Sequence, residues 1–342
     1  VHALTVMTPA SLNIRPEDVV MPVVPMFHVN SWEFPYAVTM AGAKQVYPGV
    51  APTPEDLITL IDREGVTLTA GVPTVWIDVL EALDPSSDAL ESLERIIVGG
   101  SAAPTGVMQR YQAEHDVTIE HAWGMTETMS IGSVGRDRPG DSDPFVRASK
   151  QGHLTPGMRM RVVAEGQDIP WDGESVGELL VRGPNVIDSY YARSDDADFF
   201  EGDDGRWLRT GDIVTVEPDG TLTVVDRVKD VIKSGGEWIS SIALENTLME
   251  LPEIAEAVVV GSPHKRWQER PVAFVVPSVG ATVESEQVRS TLQQEFPRWW
   301  LPDDIIIRDE VPKTATGKFD KRSLRPEAAR SELPFAPGES ER

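Results

Sequence analysis

Between residues 18 and 121 the chain alternates short apolar runs with longer stretches in which apolar residues recur at helical spacing. The apolar runs predict buried strands at residues 19–24, 66–69, 96–98 and 117–119. The stretches between them predict helices at residues 32–40, 54–64, 74–83 and 104–115. Alternating strands and helices are typical of a mostly parallel sheet with helices on its faces.

The pattern changes near residue 151, where Gly and Pro recur between short alternating runs. These runs predict antiparallel strands, and the sequence E-P-D-G at 217–220 predicts a hairpin turn. From about residue 226 the pattern predicts helices at 242–250 and 284–295 and strands at 257–260, 272–276 and 305–307. The predicted fold class is therefore α/β, with a large α/β domain that includes a β-rich subdomain and a small C-terminal α/β domain.

The domain boundaries follow these changes of pattern. We expect a large domain at 1–225, with its β-rich subdomain at about 151–225, and a small domain at 231–331. Residues 226–230 would connect the two domains. The Pro-, Gly- and charge-rich tail at 332–342 is predicted to be disordered.

Composition narrows the classes of function. The chain carries 55 Asp and Glu against 31 Lys and Arg, a formal net charge of −24, which disfavours binding to nucleic acid or to an anionic membrane surface. No apolar run approaches the length of a transmembrane helix and no leader pattern is visible, so we expect a cytoplasmic protein. The absence of Cys excludes a thiolate nucleophile within this sequence. The acidic, Lys-poor composition would suit a salty cytoplasm, and a GC-rich genome explains it equally well.

Several short motifs carry residue types that suit nucleotide chemistry. G-G-S-A-A-P at 99–104 follows a predicted strand, and its glycines would let the backbone approach a ligand closely. W-G-M-T-E-T at 123–128 combines an aromatic ring for a base, a hydroxyl for a phosphate and a carboxylate for Mg²⁺. R-T-G-D at 209–212 offers an Asp that could hold ribose hydroxyls. Each motif taken alone also occurs as an ordinary turn.

Three further motifs complete the set. P-M-F-H-V-N-S-W at 25–32 places a His at the end of a predicted strand, where it could orient a substrate. D-R-V-K-D-V-I-K-S-G-G-E-W at 226–238 has alternating charges and a Gly pair, as a linker that also contacts a ligand would have. P-K-T-A-T-G-K at 312–318 places Lys318 at a Gly turn, from which an ammonium group could reach a phosphate oxygen.

The order and spacing of these motifs together are specific. The chain resembles the acyl-adenylate-forming superfamily, which includes acyl-CoA synthetases, adenylation domains of peptide synthetases and luciferases. P-M-F-H-V-N-S-W and K-S-G-G-E-W-I-S-S are most similar to the medium- and long-chain fatty acyl-CoA synthetases.

The resemblance implies a role for each matching residue. The nucleotide would be bound by Gly100, Ser101, His121, Ala122, Trp123, Thr126, Asp212 and Arg227. Trp123, which stands where the family usually has Tyr, would stack on the base, and Asp212 would bind the ribose. The catalytic residues would be Lys318, Thr126, Glu127 and His28, with Glu127 as the ligand of Mg²⁺.

The resemblance also implies a mobile small domain and an acyl site. Lys229 would be the hinge, and Lys318 would reach the active site during adenylation. The site of thioester formation would be lined by Lys233, Gly235, Gly236 and Trp238. His28 and Val29 would border the acyl site, and Trp32 resembles an indole that gates a fatty-acid tunnel. The implied substrates are a fatty acid, ATP and coenzyme A, with Mg²⁺ as the cofactor.

One family feature is absent: no Ser/Thr/Gly-rich phosphate loop with a Lys occurs between residues 1 and 26. We therefore expect this sequence to be the carboxyl-terminal part of a longer enzyme, which would form a homodimer through an amino-terminal lobe. Two alternatives remain open. The chain could be a non-catalytic remnant that binds a nucleotide or an acyl-adenylate, or a ligase for another carboxylate, such as an aryl or short-chain acid. An amino-acid substrate is disfavoured because F-H-V-N at 27–30 lacks the Asp that would hold an α-amine.

Overall fold

The computed structural model describes residues 2–84, 86–101, 103–136, 149–193, 197–202 and 204–330. The predicted tail at 332–342 and Ala102 of the first Gly-rich motif lie outside the described residues. Contacts within the chain divide it into two compact units, Val1–Val224 and Val225–Arg342, here called unit 1 and unit 2.

A seven-stranded sheet forms the centre of unit 1, and its strand order is β2-β1-β3-β4-β5-β6-β7. The strands are β1 (Val19–Pro22), β2 (Lys44–Gln45), β3 (Leu68–Gly71), β4 (Arg95–Gly99), β5 (Thr118–Trp123), β6 (Ser133–Val134) and β7 (His153–Leu154). The first five strands in this order run parallel, and β6 and β7 are antiparallel to their neighbours. The mixed α/β fold predicted from the sequence is confirmed.

Helices cover both faces of this sheet because successive strand residues point to opposite sides. The helices in the described part of unit 1 are α1 (His2–Val6), α2 (Val29–Trp32), α3 (Phe34–Ala41), α4 (Pro54–Glu64), α5 (Pro73–Ala82) and α6 (Thr105–His115). Met21 and Ile96 pack into one core with helices α4, α5 and α6, while Val20 and Ile97 pack into a second core with helix α3. Helix α4 begins and ends as predicted, since Thr53 forms a capping box with Asp56.

The prediction of a helix from residue 32 is wrong at its start. Five consecutive residues, from Val29 to Glu33, have φ between 45° and 61°, which is the left-handed region. Short α2 is therefore a left-handed turn, and α3 begins at Phe34, with Pro35 in its first turn. The buried Ser31 hydroxyl donates to the Val24 carbonyl at 2.7 Å and holds this turn to the end of β1.

The second sheet of unit 1 is antiparallel, as predicted, with strand order β11-β12-β10-β8-β9. Its strands are β8 (Arg159–Ala164), β9 (Gln167–Asp168), β10 (Gly177–Arg182), β11 (Phe199–Gly202) and β12 (Gly205–Val216). Beyond β12, the predicted turn at 217–220 is present, closed by the Glu217 N–H, which donates to the Thr221 carbonyl at 3.0 Å. It leads into β13 (Leu222–Arg227), within which the division between the two units falls.

Unit 2 is a five-stranded sheet with helices on both faces. Its elements are β14 (Ile232–Ser234), β15 (Glu237–Ile239), α7 (Ser241–Met249), β16 (Ile254–His264), β17 (Gln268–Pro277), α8 (Ser285–Glu295), β18 (Asp304–Ile307) and α9 (Lys321–Ala328). Helices α7 and α8 cover one face, and Leu324 and Ala328 of α9 pack on the other. Helix α9 was not predicted.

None of the helices in the described part of the chain is long and apolar enough to cross a membrane.

Candidate functional site

The carboxyl ends of β4 and β5 bring the first two motifs together. The two strands are parallel neighbours, with Gly99 opposite Ala122 and Val98 opposite His121. The Gly99–Gly100 turn therefore lies beside the strand that ends at Trp123. The sequence placed the end of β5 too early, at residue 119, whereas the strand continues through Trp123. This edge of a parallel sheet is where α/β proteins commonly bind ligands.

Trp32, the predicted gate of the acyl tunnel, lies against this same edge. Its indole is 6% exposed, and a Cβ built on Gly99 would lie 3.0 Å from the Cη2 atom of Trp32. This distance is shorter than ordinary van der Waals contact, so a larger residue at position 99 would require the Trp32 ring to shift. The structure thus places a residue of the predicted acyl site in contact with the predicted nucleotide loop.

Trp123 and Asp212 are joined by a hydrogen bond between two buried side chains. The Trp123 Nε1–H donates to the Asp212 Oδ2 atom at 2.7 Å, linking β5 to β12. Both residues are buried, and the flat ring of Trp123 fits closely against Gly132, where a Cβ would lie 2.5 Å from the ring. A hydrogen bond to an ionised acceptor fixes the carboxylate more strongly than a neutral one would. Asp212 lies inside strand β12, so the alternative that R-T-G-D is an ordinary turn is wrong.

His121 is fully buried and holds the loop that connects β4 to α6. Its Nε2 atom accepts from the Ala103 N–H at 2.6 Å, and its Nδ1 atom lies 2.9 Å from the Ser149 carbonyl. These partners assign the neutral tautomer with the proton on Nδ1. Burial lowers the pKa of His121 to about 4, against the opposing effect of the Ser149 carbonyl.

Thr126 and Glu127 lie on a short 3-10 turn, Thr126–Thr128, that follows β5. Thr126 is exposed and Glu127 is half-buried. The Tyr190 hydroxyl donates to the Glu127 Oε1 atom at 2.9 Å. Among the described residues no group of three or more His, Asp or Glu side chains is gathered for a metal ion. A single carboxylate fits Mg²⁺, which usually takes one or two carboxylates and completes its shell with phosphate and water oxygens.

In unit 2, the predicted thioester-stage residues form a hairpin between β14 and β15. Ser234 pairs with Glu237 across a two-residue turn whose glycines have φ of 63° and 92°. Two consecutive positive φ values are typical of a type I′ turn, which favours glycine at both positions. A Cβ on Gly235 would lie 2.9 Å from the Trp267 ring. On the flanking strands, Lys233 and Trp238 pair with each other and are both exposed.

The predicted hinge segment at 226–230 is tied to α7 and α9 of unit 2. Asp226 Oδ2 accepts from the N–H and the hydroxyl of Ser241, at 2.6 and 2.7 Å. Arg325 donates to the Lys229 carbonyl, and to the Asp230 carboxylate at 2.7 Å. The Lys229 side chain is itself exposed, as is Arg227.

A largely buried ion pair lies next to this segment, joined to Asp226 through the Ser241 hydroxyl. The Lys321 Nζ atom lies 2.7 Å from the Glu245 Oε1 atom and donates to the Ser241 hydroxyl at 2.6 Å. Burial raises the pKa of Glu245 to about 7, and the charge of Lys321 only partly opposes this effect. Burial alone would lower the pKa of Lys321, but the carboxylates of Glu245 and Asp226 outweigh it and raise that pKa.

Lys318 stands on a tight turn of unit 2. The Thr314 N–H donates to the Lys318 carbonyl at 2.7 Å, and Gly317, with φ of 80°, completes the turn. The Lys318 side chain is half-buried. Of the two lysines in P-K-T-A-T-G-K, Lys313 is in an ion pair with Glu256.

Comparison with known families decides the classification. Residues 1–191 match the AMP-binding enzyme family, and residues 243–318 match the AMP-binding enzyme C-terminal domain. The chain belongs to the AMP-binding enzyme family. The resemblance inferred from the sequence motifs is confirmed.

Two relatives of the chain are CoA ligases named for different acids. The chain is 41% identical over 330 residues to a long-chain-fatty-acid–CoA ligase of Thermus thermophilus, covering 95% of this chain and 61% of that protein. It is also 41% identical over 317 residues to a 3-methylmercaptopropionyl-CoA ligase of Ruegeria lacuscaerulensis, covering 91% of this chain and 58% of that protein. The chain therefore spans about three fifths of the length of these curated relatives.

A solved structure supports the fold of the chain. O-succinylbenzoate coenzyme A synthetase from Bacillus subtilis, in complex with ATP and a magnesium ion, superposes with a TM-score of 0.77 at 26% identity. The match covers 97% of this chain and 64% of that one.

Several residues that contact the predicted site residues are not marked by any sequence motif. Tyr190 contacts Glu127 from 63 positions away in the sequence, and no local pattern marks it. Gly132 and the buried pair of Glu245 and Lys321 were missed for the same reason. A signal for α9 was available, since Lys321 and Arg325 stand at helical spacing around Leu324.

Proposed function

We propose that this protein is an AMP-forming acyl-CoA ligase for a medium- or long-chain fatty acid. The carboxylate would attack the α-phosphorus of ATP, forming an acyl-adenylate and releasing pyrophosphate. The thiol of coenzyme A would then attack the acyl carbon, forming a thioester and releasing AMP. The observation that carries this proposal is the convergence of the Gly99–Gly100 turn, Trp123, Asp212 and the Glu127 turn around the carboxyl ends of β4 and β5.

The nucleotide would lie along this edge. Its adenine would be bordered by Gly100, Ser101, His121 and Ala122 and would meet the indole of Trp123. The Asp212 carboxylate would accept hydrogen bonds from the ribose hydroxyls, and Arg227 would also help to bind the ribose. The bond from the Trp123 N–H supports this role, because it holds the Asp212 carboxylate in one orientation before the ribose arrives. A carboxylate held in this way loses less conformational entropy when the ribose binds.

Charge develops on phosphate oxygens during adenylation. Thr126, exposed on its turn, would contact a phosphate, and Glu127 would hold Mg²⁺. When bound, Mg²⁺ would neutralise part of the phosphate charge. The Lys318 ammonium would stabilise the developing charge on the transferred group. The Gly317 turn supports this role because it presents Lys318 on a short, hydrogen-bonded hairpin.

The thioester step would use the other face of unit 2. Lys229 would serve as the hinge, and the Gly235–Gly236 turn, Lys233 and Trp238 would line the site for coenzyme A. Exposed glycines at the tip of a type I′ turn support this assignment, because they let an extended thiol-bearing chain pass close to the backbone. A rotation of unit 2 about Lys229 would bring Lys318 to the active site for adenylation and the Gly235–Gly236 turn to it for thioester formation.

The adenylation role of Lys318 is tested by separating the two half-reactions. Lys318→Ala should abolish exchange of labelled pyrophosphate into ATP, while thioester formation from supplied acyl-AMP and coenzyme A persists. Lys313→Ala is the matched control, since it removes a lysine from the same motif and should preserve both activities. Equal loss of both half-reactions in Lys318→Ala would reject the role.

The acyl site is tested by substrate preference. His28 and Val29 would border the acyl chain, and Trp32 would act as its gate. Trp32→Ala should shift the preferred fatty-acid chain length, whereas Trp171→Ala, which removes an exposed indole of unit 1, should not. Efficient turnover of 3-methylmercaptopropionate or an aryl acid, with fatty acids unreactive, would replace the fatty-acid assignment by another carboxylate.

A further inference from the structure

The loop that follows β10 holds the turn that carries Glu127. The Ile187 N–H donates to the Glu127 carbonyl at 2.9 Å, and the Asn185 side-chain amide donates to the Thr128 carbonyl at 3.1 Å. The Tyr190 hydroxyl donates to the Glu127 Oε1 atom at 2.9 Å. One loop of the antiparallel sheet therefore holds both the backbone and the side chain of Glu127.

The ring of Tyr190 is itself held in place. Phe199 meets it edge-on with the ring centroids 5.9 Å apart. The Arg193 guanidinium lies over the ring, 4.9 Å from its centroid, and donates to Asp198 at 2.8 Å. Because Phe199 and Arg193 both pack against the ring, the hydroxyl is aimed at Glu127 by packing as well as by the hydrogen bond.

A glutamate needs such a partner to bind a cation in one orientation. Its side chain has three rotatable torsions, and Glu127 stands half-buried on a turn of only three residues. A carboxylate offers about four lone-pair sites, so a tyrosine bond to one oxygen leaves sites for a metal ion. Outer partners of metal-ligating groups commonly orient them in this way.

We propose that Tyr190 is a positioning residue that fixes the Glu127 carboxylate for the magnesium ion of bound MgATP. The proposal rests on the proposed function, in which Glu127 binds Mg²⁺. The proposal adds a residue from the loop after β10 to a site whose other groups lie at the edge of the parallel sheet. Tyr190 touches neither substrate nor metal, and it acts through Glu127.

The test compares ATP binding with and without the metal, in the intact protein and without turnover. The dissociation constant of ATP is measured by calorimetry once with saturating Mg²⁺ and once with EDTA, and the ratio of the two values gives the gain due to the metal. Tyr190→Phe keeps the ring and removes only the hydroxyl. It should reduce this gain about 10- to 100-fold while leaving the metal-free dissociation constant unchanged.

Tyr191→Phe is the matched control. The same atom is removed from the adjacent residue, whose side chain is fully exposed, and the gain should stay at the wild-type value. If Tyr190→Phe keeps the wild-type gain, or weakens ATP binding equally with and without Mg²⁺, Tyr190 is a structural contact and the proposal is overturned.

Glu127→Gln separates this failure from failure of the proposed function. If the wild-type protein shows a gain that Glu127→Gln abolishes, the metal assignment stands, and the Tyr190→Phe result decides the positioning role alone. If Glu127→Gln retains the full gain, Glu127 does not bind the metal, and both proposals fall together.

Discussion

Breaking the largely buried pair of Lys321 and Glu245 should destabilise unit 2 far more than breaking an exposed ion pair does. The side chains of Lys321 and Glu245 are 15% and 8% exposed. Removing one partner of a buried pair leaves an uncompensated charge, which typically costs about 3–5 kcal/mol. Lys321→Met should therefore destabilise unit 2 by about this amount.

The matched control is Lys313→Met, in the same unit. Lys313 pairs with Glu256 but is 34% exposed, so its loss should cost only about 0–1 kcal/mol. The double variant Lys321→Met/Glu245→Gln should recover much of the lost stability, because glutamine is neutral and its side-chain oxygen can still accept from the Val259 N–H.

Hydrogen exchange detected by mass spectrometry measures this effect locally, in peptides from α7 and α9, where a global melting temperature would mix two units. The destabilisation should also grow with pH. Burial raises the pKa of Glu245 to about 7, so the stability that folding gains by taking up a proton is lost as pH rises through that value. The charge of Lys321 opposes this rise, so in Lys321→Met the folded carboxyl stays protonated to higher pH and the variant loses more stability than the wild type. Equal protection in the Lys321→Met and Lys313→Met proteins at pH 8 would refute the reasoning.

Three further predictions concern unit 1. The pKa of His121 is lowered to about 4, so the unfolded chain alone binds a proton between pH 6.5 and 4. The stability of unit 1 should fall by about 3 kcal/mol as pH falls through this window, and His121→Gln should remove this dependence in denaturant titrations. Trp123→Phe removes the bond to buried Asp212 and should cost about 1.5–3 kcal/mol in denaturant unfolding, and an unchanged midpoint would contradict it. Gly132→Ala places a Cβ 2.5 Å from the Trp123 ring and should cost about 1–3 kcal/mol, whereas Gly106→Ala, with open space around it in α6, should stabilise by about 0.5–1 kcal/mol.

Most of the strands and helices of the seven-stranded sheet of unit 1 could be predicted because both faces of that sheet are buried. Strands covered on both faces have nearly continuous apolar runs, and the helices between them have one apolar side. The boundaries were less certain. β5 extends to Trp123 although Glu120 and His121 interrupt the apolar run, because tertiary packing buries both residues.

The motifs identified the candidate site residues, but the contacts between those residues were not predictable. The bond from Trp123 to Asp212 joins positions 89 residues apart, and the bond from Tyr190 to Glu127 joins positions 63 residues apart. Such pairs depend on how the two sheets of unit 1 are packed. Local spacing contains no information about that packing, so only the folded chain reveals them.

The left-handed turn from Val29 to Glu33 also escaped prediction, and it has a consequence for folding. A left-handed conformation costs about 1–2 kcal/mol for each residue other than glycine, so five in a row oppose folding by roughly 5–10 kcal/mol. Contacts with residues outside the turn offset this cost. Ser31 bonds to Val24, Trp32 fits against Gly99, and the Glu33 carboxylate contacts His2 at 2.6 Å.

The contacts with Gly99 and His2 cannot form before the surrounding sheet does, so the turn should be among the last parts of unit 1 to adopt its native handedness. It should also be among the first to relax when a neighbour is removed. A right-handed Val29–Glu33 segment would point the Trp32 indole in another direction. The handedness of five residues would then decide whether the proposed acyl site can form.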